Sequence, residues 1–279
     1  MDDKTRAYDI MQPEPPFVTP LEETKLALEA ASKASKAVME IYSKEFTSSL
    51  KSDDSPITKA DLESNEIIKK VLSPLGLPIL SEEDADTKSR LDHDKIWIID
   101  PLDGTSDFVN RTGEFTIMVG LVKHKRPVLG VICRPTTNTL FVAQKGSGAY
   151  MLENNTWSRL AVSKTSELKK CRAVGSRFHL SEQEKEFFKK LGVLSFESRG
   201  SSLKVAEICM GVAEIYLTTS NKIKQWDTCA SYCLVTEAGG KMTDMFGNEV
   251  FYNTEKINHE NGLLVTNGLV HEQIIKQYR

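Results

Sequence analysis

The stretch Ile96-Trp97-Ile98-Ile99-Asp100-Pro101-Leu102-Asp103-Gly104-Thr105 joins an apolar run to a polar turn. Four consecutive apolar residues are typical of a strand covered on both faces, and this run stops at Asp100. Asp-Pro and Asp-Gly form turns by themselves, so a plain turn explains the second half. However, α/β sheets place ligand sites where strands end. Two aspartates three apart can point to one centre, where Gly104 permits close backbone approach and a helix beginning near Thr105 would offer N–H groups to an anion.

Two other acidic positions lie at the ends of predicted elements. Glu82-Glu83 follows a short strand, and Asp227 in Trp226-Asp227-Thr228 opens a helix. Taken alone, the first pair is typical of a solvated loop and Asp227 of a helix N-cap. Carboxylates about 4 Å apart repel by roughly 4 kcal/mol at an effective dielectric constant near 20, so a shared site would need protons or cations. Such oxygen ligands suit Mg²⁺ or Mn²⁺ rather than zinc.

The N-terminal part of the chain predicts helices followed by an antiparallel meander. Thr19-Pro20-Leu21-Glu22 has the pattern of a capping box with proline at the first helical position, opening a helix that runs to about Tyr42. A second helix should begin near Thr58 and stop at Ser73-Pro74. Short connections separate three strand-like runs, Phe115 to Val122, Val128 to Cys133 and Thr139 to Ala143.

After about Lys164, strand and helix candidates alternate, which favours a partly parallel layer. We therefore predict a layered α+β and α/β chain: an extended arm over 1–18, an N-terminal α+β metal-binding half over 19–165, and a C-terminal α/β substrate-binding half over 166–279. The helix candidates in the second half are Glu182 to Leu191, Leu203 to Met210, Thr228 to Ala238 and Val270 to Gln277.

Composition narrows the class of protein. The 279 residues are 40% hydrophobic and 27% charged, which is ordinary for a globular chain and unlike a disordered one. Lys plus Arg total 36 against 39 Asp plus Glu, a net charge of -3 that argues against a nucleic-acid binder. No apolar run reaches the length of a membrane span, and residues 1–19 lack the pattern of a signal peptide. Five cysteines without a C-x-x-C pair are typical of a reduced, cytoplasmic protein.

The acidic motifs together carry a resemblance to a known family. DPLDGT after WIID, the upstream SEED, and QWDTCA resemble the signatures of the lithium-sensitive, magnesium-dependent phosphatases related to inositol monophosphatase. The resemblance runs from the first helix to about Asp244. It implies an α-β-α-β-α sandwich with an N-terminal antiparallel sheet and two long helices, a site for two to three Mg²⁺ ions with Mn²⁺ as an alternative, and inhibition by Li⁺.

Three stretches, 54–61, 113–116 and 200–204, look closest to the 3′(2′),5′-bisphosphate nucleotidase branch. That branch removes the 3′-phosphate of adenosine 3′,5′-bisphosphate, with the sulfated form as a further substrate to test. Some members also hydrolyse inositol 1,4-bisphosphate. The resemblance implies a small phosphorylated metabolite as partner, no nucleic-acid polymer and no membrane, and leaves monomer or homodimer open.

The resemblance also implies roles for individual residues. Metal ligands would be Glu82, Asp100, Asp103, Asp227 and the backbone carbonyl of Leu102. A proton relay would be formed by Thr105, which accepts a hydrogen bond from the attacking water, and Asp61, to which Thr105 donates. For Asp61, the residues alone favour a helix-capping box with Thr58, and the resemblance shifts the interpretation to catalysis.

Substrate contacts follow from the same resemblance, with one departure from the family's pattern. The substrate-binding residues would be Gly104, Thr105, Ser176, Ser201, Lys204 and Asp227. The nucleotidase branch usually carries an arginine where this chain has Thr218. Lys222 or Lys224 could compensate only in part, because lysine cannot form the bidentate fork of arginine.

Three functions are therefore considered. The first is a bisphosphate nucleotidase, and the second an inositol (poly)phosphate 1-phosphatase acting at the same site. The third, of a different class, is an inactive sensor of a phosphorylated metabolite; the complete relay and metal set argues against it. The net charge of -3 does not exclude an anionic substrate, since two or three divalent cations would add roughly +4 to +6 locally.

Overall fold

The computed structural model describes residues 14–50 and 56–279. Its helices are α1 (Glu22–Tyr42), α2 (Lys59–Leu72), α3 (Thr105–Val109), α4 (Glu182–Leu191), α5 (Leu203–Cys209), α6 (Gln225–Glu237) and α7 (His271–Tyr278). A short antiparallel pair consists of β1 (Ser48–Leu50) and β2 (Pro56–Thr58). None of the helices in these two ranges is both long and apolar enough to span a bilayer.

A seven-stranded sheet forms the first large layer. Its strands, in spatial as well as chain order, are β3 (Ile79–Ser81), β4 (Lys95–Asp103), β5 (Thr116–Lys123), β6 (Arg126–Arg134), β7 (Thr139–Gln144), β8 (Gly148–Glu153) and β9 (Thr156–Arg159). All neighbours are antiparallel except β3 and β4, which are parallel. The predicted meander is therefore confirmed, and it extends by two strands that the sequence pattern missed.

Strand β4 shows why its apolar run is uninterrupted. Trp97 and Ile99 pack with α1 and α2, whereas Ile96 and Ile98 point to the opposite face and pack with α5 and α6. Alternate side chains leave opposite faces of a strand, and here both faces are covered. Every residue of the run is consequently apolar.

The second sheet is mixed. Its strands, β10 (Arg172–Ser176), β11 (Ser195–Arg199), β12 (Ile215–Thr218), β13 (Lys241–Thr243) and β14 (Leu263–Thr266), lie in the order β11-β10-β12-β14-β13. The pairs β10–β11 and β10–β12 are parallel, and β14 is antiparallel to both its neighbours. One face packs on α5 and α6 and the other on α4 and α7. The order of layers is thus α1/α2, first sheet, α5/α6, second sheet, α4/α7, which confirms the predicted α-β-α-β-α sandwich.

Helix α6 fits tightly against the first sheet because two facing strands carry glycine. A Cβ added at Gly120 would lie 2.5 Å from Cys229 Sγ, and one at Gly130 would lie 2.3 Å from the Ala230 carbonyl oxygen. The helix therefore belongs to the C-terminal half in sequence but packs on the sheet of the N-terminal half. This close approach sets where the first turn of α6 meets the end of β4. The boundary at residue 165 stays a prediction.

The predicted start of α1 is wrong. The helix begins at Glu22 rather than Pro20, and Leu21 occupies the N-cap without a side-chain cap. The local capping box is replaced by a distant side chain: Gln144 Oε1 accepts hydrogen bonds from Leu21 N at 2.9 Å and Thr24 Oγ1 at 3.0 Å. The cap of α1 is therefore a tertiary contact with β7.

The predicted arm over 1–18 is described only from residue 14 onward, and residues 1–13 lie outside the described residues. Phe17 is buried and its ring centroid lies 5.6 Å from that of Tyr150. The Glu14 carbonyl accepts a hydrogen bond from Trp157 Nε1 at 3.0 Å. Residues 14–17 thus pack on the β8–β9 end of the first sheet.

Candidate active site

The end of β4 is bent where the acidic turn begins. The sequence pattern ends the strand before Asp100, whereas the observed strand continues to Asp103 with a register shift between Asp100 and Asp103. Asp100 Oδ1 accepts a hydrogen bond from Leu102 N at 3.0 Å, which orients the carboxylate. Asp100 Oδ2 is fully buried and has no hydrogen-bond partner within residues 14–50 and 56–279. Such an orphaned buried oxygen requires a proton or a cation.

Three carboxylates from distant parts of the chain, that of Asp100 among them, lie close together here. Glu82, Asp100 and Asp227 each place an oxygen within 4.8 Å of the others. Glu82 directly follows β3, whose parallel register with β4 (Ser81 opposite Ile99) brings it beside Asp100. Asp227 reaches the cluster from the first turn of α6.

Asp227 is not the N-cap that its sequence context favoured. Helix α6 begins at Gln225, so Asp227 is its third residue, and its Oδ2 accepts a hydrogen bond from Lys224 N at 2.7 Å. The carboxylate stabilises the helix start from inside the first turn, where a negative charge also complements the helix dipole.

The electrostatics of the cluster favour a hard cation. Burial, reinforced by the neighbouring carboxylates, raises the pKa of Asp100 well above its usual value and that of Asp227 to about 8. Burial also raises the pKa of Asp103 to about 6, although Lys204 and a hydrogen bond from Ser202 lower it. Carboxylate oxygens are the donors that Mg²⁺ prefers. The residues present therefore fit a divalent cation of this kind.

Asp103 lies beside the cluster and has a second set of contacts. Its Oδ2 accepts hydrogen bonds from Ser202 N at 2.5 Å and from Thr116 Oγ1 at 3.3 Å. The hydroxyls of Thr116 and Ser202 also bond to each other at 2.7 Å. Asp103 thus links the end of β4 to the turn before α5. Its expected role as a metal ligand, like that of the Leu102 carbonyl, which accepts from Thr105 Oγ1 at 3.2 Å, stays a prediction.

Thr105 and Asp61 are brought together, although they are 44 residues apart. Thr105 Oγ1 donates to Asp61 Oδ1 at 2.9 Å, and Asp61 Oδ2 accepts from Thr58 N at 2.7 Å and Thr58 Oγ1 at 2.6 Å. The predicted capping box at Thr58 is confirmed, and it coexists with the Thr105 contact because each uses a different carboxylate oxygen. Burial raises the pKa of Asp61, against the hydrogen bonds from Thr58 and Thr105 that lower it.

Gly104, Ser201 and Lys204 form the wall next to the carboxylates. Gly104 adopts φ 89°, and a Cβ there would lie 3.1 Å from Ser201 Cβ. Ser201 has φ 47°, which is rare for a residue with a side chain. Its Oγ is buried and finds no hydrogen-bond partner in the part of the chain that the structure describes. The buried Lys204 Nζ donates to the Ser201 carbonyl and lies 5.4 Å from the centroid of the Tyr216 ring. Burial lowers the pKa of Lys204, and the nearby carboxylates oppose this.

The predicted substrate contact Ser176 and the position of the missing arginine, Thr218, lie at the ends of two strands of the second sheet. Ser176 ends β10, and its Oγ accepts a hydrogen bond from His179 N at 3.1 Å. Thr218, where the resemblance leads us to expect arginine, ends β12. The side chain of Lys222 is exposed, and Lys224 Nζ lies 5.2 Å from the Trp226 ring centroid. Of the stretches that suggested the nucleotidase branch, residues 54 and 55 lie outside the described residues.

Sequence reasoning missed an ionic cluster between the two halves. Arg177, just after β10, contacts both Glu114 and Asp107 of the N-terminal half. In the sequence, Glu114 is marked only by the family-like stretch 113–116, and no spacing connects it with Arg177.

Comparison with known proteins gives a family match over most of the chain. The model of the inositol monophosphatase family matches residues 20–279. The chain is 33% identical over 231 residues to the 3′(2′),5′-bisphosphate nucleotidase CysQ of Escherichia coli (strain K12), covering 80% of this chain and 90% of that protein. It is 35% identical over 232 residues to the CysQ of Aggregatibacter actinomycetemcomitans, covering 81% and 86%.

Solved structures agree. CysQ from Bacteroides thetaiotaomicron, a bacterial member of the inositol monophosphatase family, matches with a TM-score of 0.75 at 30% identity, over 88% of this chain and 96% of that one. An IMPase from Thermotoga maritima matches with a TM-score of 0.80 at 25% identity, over 92% and 97%.

Proposed function

Since the chain belongs to the inositol monophosphatase family, we propose that it is a magnesium-dependent phosphomonoesterase that removes the 3′-phosphate of adenosine 3′,5′-bisphosphate, giving AMP and phosphate. The substrate is suggested by the relatives at 33% and 35% identity, which are 3′(2′),5′-bisphosphate nucleotidases. A small phosphorylated metabolite, not a polymer, is accordingly the proposed partner.

One juxtaposition supports the chemistry more than any other. The carboxylate cluster of Glu82, Asp100 and Asp227 lies at the end of β4, and the hydrogen-bonded pair Thr105–Asp61 begins five residues beyond Asp100. The carboxylate cluster would hold a cation, and Asp61 can take a proton through Thr105. A sensor of phosphorylated metabolites would need the cation site but not the proton relay.

The metal is assigned to the carboxylates. Glu82, Asp100 and Asp227 would hold Mg²⁺, with Asp103 and the Leu102 carbonyl completing a site for two to three ions, and Mn²⁺ has the same ligand preference. When bound, such a cation neutralises phosphoryl oxygens and lowers the pKa of a coordinated water. Such a cation would neutralise Asp100 Oδ2, which is buried and has no hydrogen-bond partner among the described residues.

Thr105 and Asp61 would take the proton of the attacking water. Because Asp61 Oδ1 accepts the Thr105 hydroxyl proton, the lone pairs of Thr105 Oγ1 remain available to accept a hydrogen bond from the attacking water. Burial raises the pKa of Asp61, which brings it closer to the pH at which a carboxylate serves as an efficient general base.

The substrate would bind against the surface formed by Gly104, Ser201 and Lys204, next to the carboxylates. The backbone N–H groups of Gly104 and Thr105 would hold the phosphate that is removed. Ser176, Ser201 and Lys204 would contact the rest of the molecule, where Lys204 offers a point charge to the second phosphate. Asp227, which is close enough for its charge to act on Lys204, would border the substrate as well as the metal.

A second activity is favoured by one departure. Thr218 stands where the nucleotidase branch usually carries arginine, so the bidentate recognition of a nucleotide phosphate is weakened there. Hydrolysis of inositol phosphates at the same site is therefore the second candidate function.

Phosphate release with Mg²⁺ tests both candidates. Adenosine 3′,5′-bisphosphate, its sulfated form, inositol 1,4-bisphosphate and inositol 1-phosphate should be compared, and we expect the first to have the highest kcat/KM. A preference for an inositol phosphate would reverse the ranking. Binding without turnover of all four would instead indicate a sensor.

Asp103→Asn tests the assignment of the metal site. It should abolish phosphate release while thermal unfolding stays cooperative, since Asn can still accept the Ser202 N–H. Turnover close to that of the unmodified enzyme would contradict the assignment of Asp103. Inhibition by Li⁺ tests the family property separately.

A further inference from the structure

The turn that carries Ser201 is held from the N-terminal half by an acidic side chain. Glu114 Oε2 accepts a hydrogen bond from Gly200 N at 2.7 Å, and Asp103 Oδ2 accepts one from Ser202 N at 2.5 Å. The backbone is thus pinned on both sides of Ser201, which itself sits at φ 47°. An L-residue in this conformation persists only where its surroundings hold it.

Gly200 fits this seat because it lacks a side chain. A Cβ added there would lie 2.5 Å from Asp107 Oδ2 and 2.5 Å from the Glu114 carbonyl oxygen. The turn therefore rests directly on the two acidic residues. Small displacements of either carboxylate would be transmitted to Ser201 and to Lys204, whose Nζ bonds the Ser201 carbonyl.

One cation holds both of these carboxylates. Arg177 Nη2 donates to Glu114 Oε2 at 2.5 Å, and Arg177 Nε lies 3.3 Å from Asp107 Oδ1. Its backbone N donates to the carbonyl of Arg199, the residue before Gly200. Asp107 is almost fully buried and Glu114 largely so, whereas the Arg177 side chain is one-third exposed. Charge-assisted hydrogen bonds of this kind fix geometry more firmly than neutral ones.

We propose that Arg177 is a positioning residue: acting through Glu114, it seats the turn 200–204 and so determines affinity for the part of the substrate that lies beyond the reacting phosphate. This rests on the proposed function for its substrate, but the positioning itself does not. Arg177 has no part in the chemistry at the carboxylate cluster. Without it, Glu114 would lose its ion pair with Arg177 and hold Gly200 N less rigidly, and the net negative charge beside the turn would increase.

The kinetic test compares Arg177→Gln, Glu114→Gln and the double variant. For adenosine 3′,5′-bisphosphate we expect KM to rise about tenfold in each, with kcat nearly unchanged. With p-nitrophenyl phosphate, which lacks the second phosphate that Lys204 is proposed to contact, kcat/KM should change much less. Because Arg177 acts through Glu114, the double variant should resemble Glu114→Gln alone. Additive effects on KM, or an equal loss with p-nitrophenyl phosphate, would overturn the proposal.

A structural test needs no activity. Hydrogen exchange of residues 200–204 should be faster in Arg177→Gln, and Arg177→Lys should restore part of the protection. The matched control is Arg126→Gln, which removes another arginine that joins the halves, through Glu249 and the Val250 carbonyl at 3.2 Å. Unchanged exchange in Arg177→Gln relative to this control would overturn the positioning role. If the unmodified protein does not hydrolyse adenosine 3′,5′-bisphosphate but Arg177→Gln still exchanges faster, only the proposed substrate is refuted.

Discussion

The first turns of α2 and α6 have the same local structure but different predicted roles, proton transfer at α2 and cation binding at α6. In each, the third helical residue is an aspartate whose Oδ2 accepts the backbone N–H of the N-cap residue at 2.7 Å: Asp61 from Thr58, and Asp227 from Lys224. Locally the two are variants of one capping device. The difference lies in what each carboxylate meets next.

Asp61 meets donors, whereas Asp227 meets other acids. Hydroxyls of Thr58 and Thr105 donate to Asp61, and these hydrogen bonds oppose the effect of burial on its pKa. Glu82 and Asp103 instead add their charges to burial and raise the pKa of Asp227 to about 8. A cap thus orients an aspartate, and its tertiary neighbours decide whether it can take a proton or requires a cation.

The largest effect is expected from Asp227→Asn, which tests whether the aspartate of α6 binds the cation. The amide oxygen can still accept the Lys224 N–H, so we expect the helix to remain, while kcat/KM falls by more than about 100-fold and metal affinity drops. Isothermal titration with Mg²⁺ and phosphate release measure the two effects. A variant that binds metal as before would contradict the assignment, whatever its turnover.

Asp61→Asn should separate the two aspartates. We expect kcat to fall about 100-fold at saturating metal, since a general base is lost, with metal affinity unchanged. Thr105→Val should have a similar effect, and the double variant should be little worse than either single one, because the pair acts as a unit. Weakened metal binding in Asp61→Asn would show that the two first turns are not distinct in role.

The raised pKa values predict how pH acts on the metal-free protein. Asp103 and Asp227 ionise in the folded state at about 6 and about 8, but near their ordinary value of 3.8 when unfolded. The folded state therefore binds more protons between pH 4 and 8. Their stabilising contribution is complete below pH about 4 and is lost as the pH rises to about 8, at roughly 1.4 kcal/mol for each unit by which a pKa is raised.

Urea unfolding with a chelator, at pH 5 and pH 8, measures this loss. Asp227→Asn should show a weaker dependence on pH, whereas Asp61→Asn should change it less. Added Mg²⁺ should stabilise the protein more at pH 8 than at pH 5, because protons compete for the same oxygens. Equal stabilisation at both values would contradict a carboxylate site.

The smallest effect is expected from the cap itself. Thr58 Oγ1 accepts from Ala60 N at 3.1 Å and donates to Asp61, so Thr58→Ala should cost about 1 kcal/mol of stability and lower kcat less than tenfold. Ser181→Ala removes the equivalent cap of α4, where Ser181 Oγ accepts from Glu184 N at 3.2 Å. Thermal unfolding should shift similarly in both, but only Thr58→Ala should alter kcat.

The sequence predicted elements with strong local patterns and missed those without them. Helix α4 has its predicted bounds, Glu182 to Leu191. In the structure a capping box at Ser181 opens it and Gly192 in the left-handed conformation ends it, so local residues set both ends. Several strands were missed, among them β8, β9, β11 and β13. Of these, β9 and β11 are at sheet edges and most of their side chains are exposed, so neither alternation nor an apolar run marks them.

For the site, the sequence determined which side chains are available and how each is held within its own turn. The pairing of Thr58 with Asp61 and the acidic turn after Ile99 involve near neighbours, and such short-range geometry follows from residue type and spacing. Only the tertiary structure decided that Glu82, Asp100 and Asp227 meet, and that Arg177 reaches Glu114. Those distances depend on the parallel register of β3 with β4, on α6 packing against Gly120 and Gly130, and on two halves that share one core. Contacts of this range arise from the packing of whole layers, which no local pattern encodes.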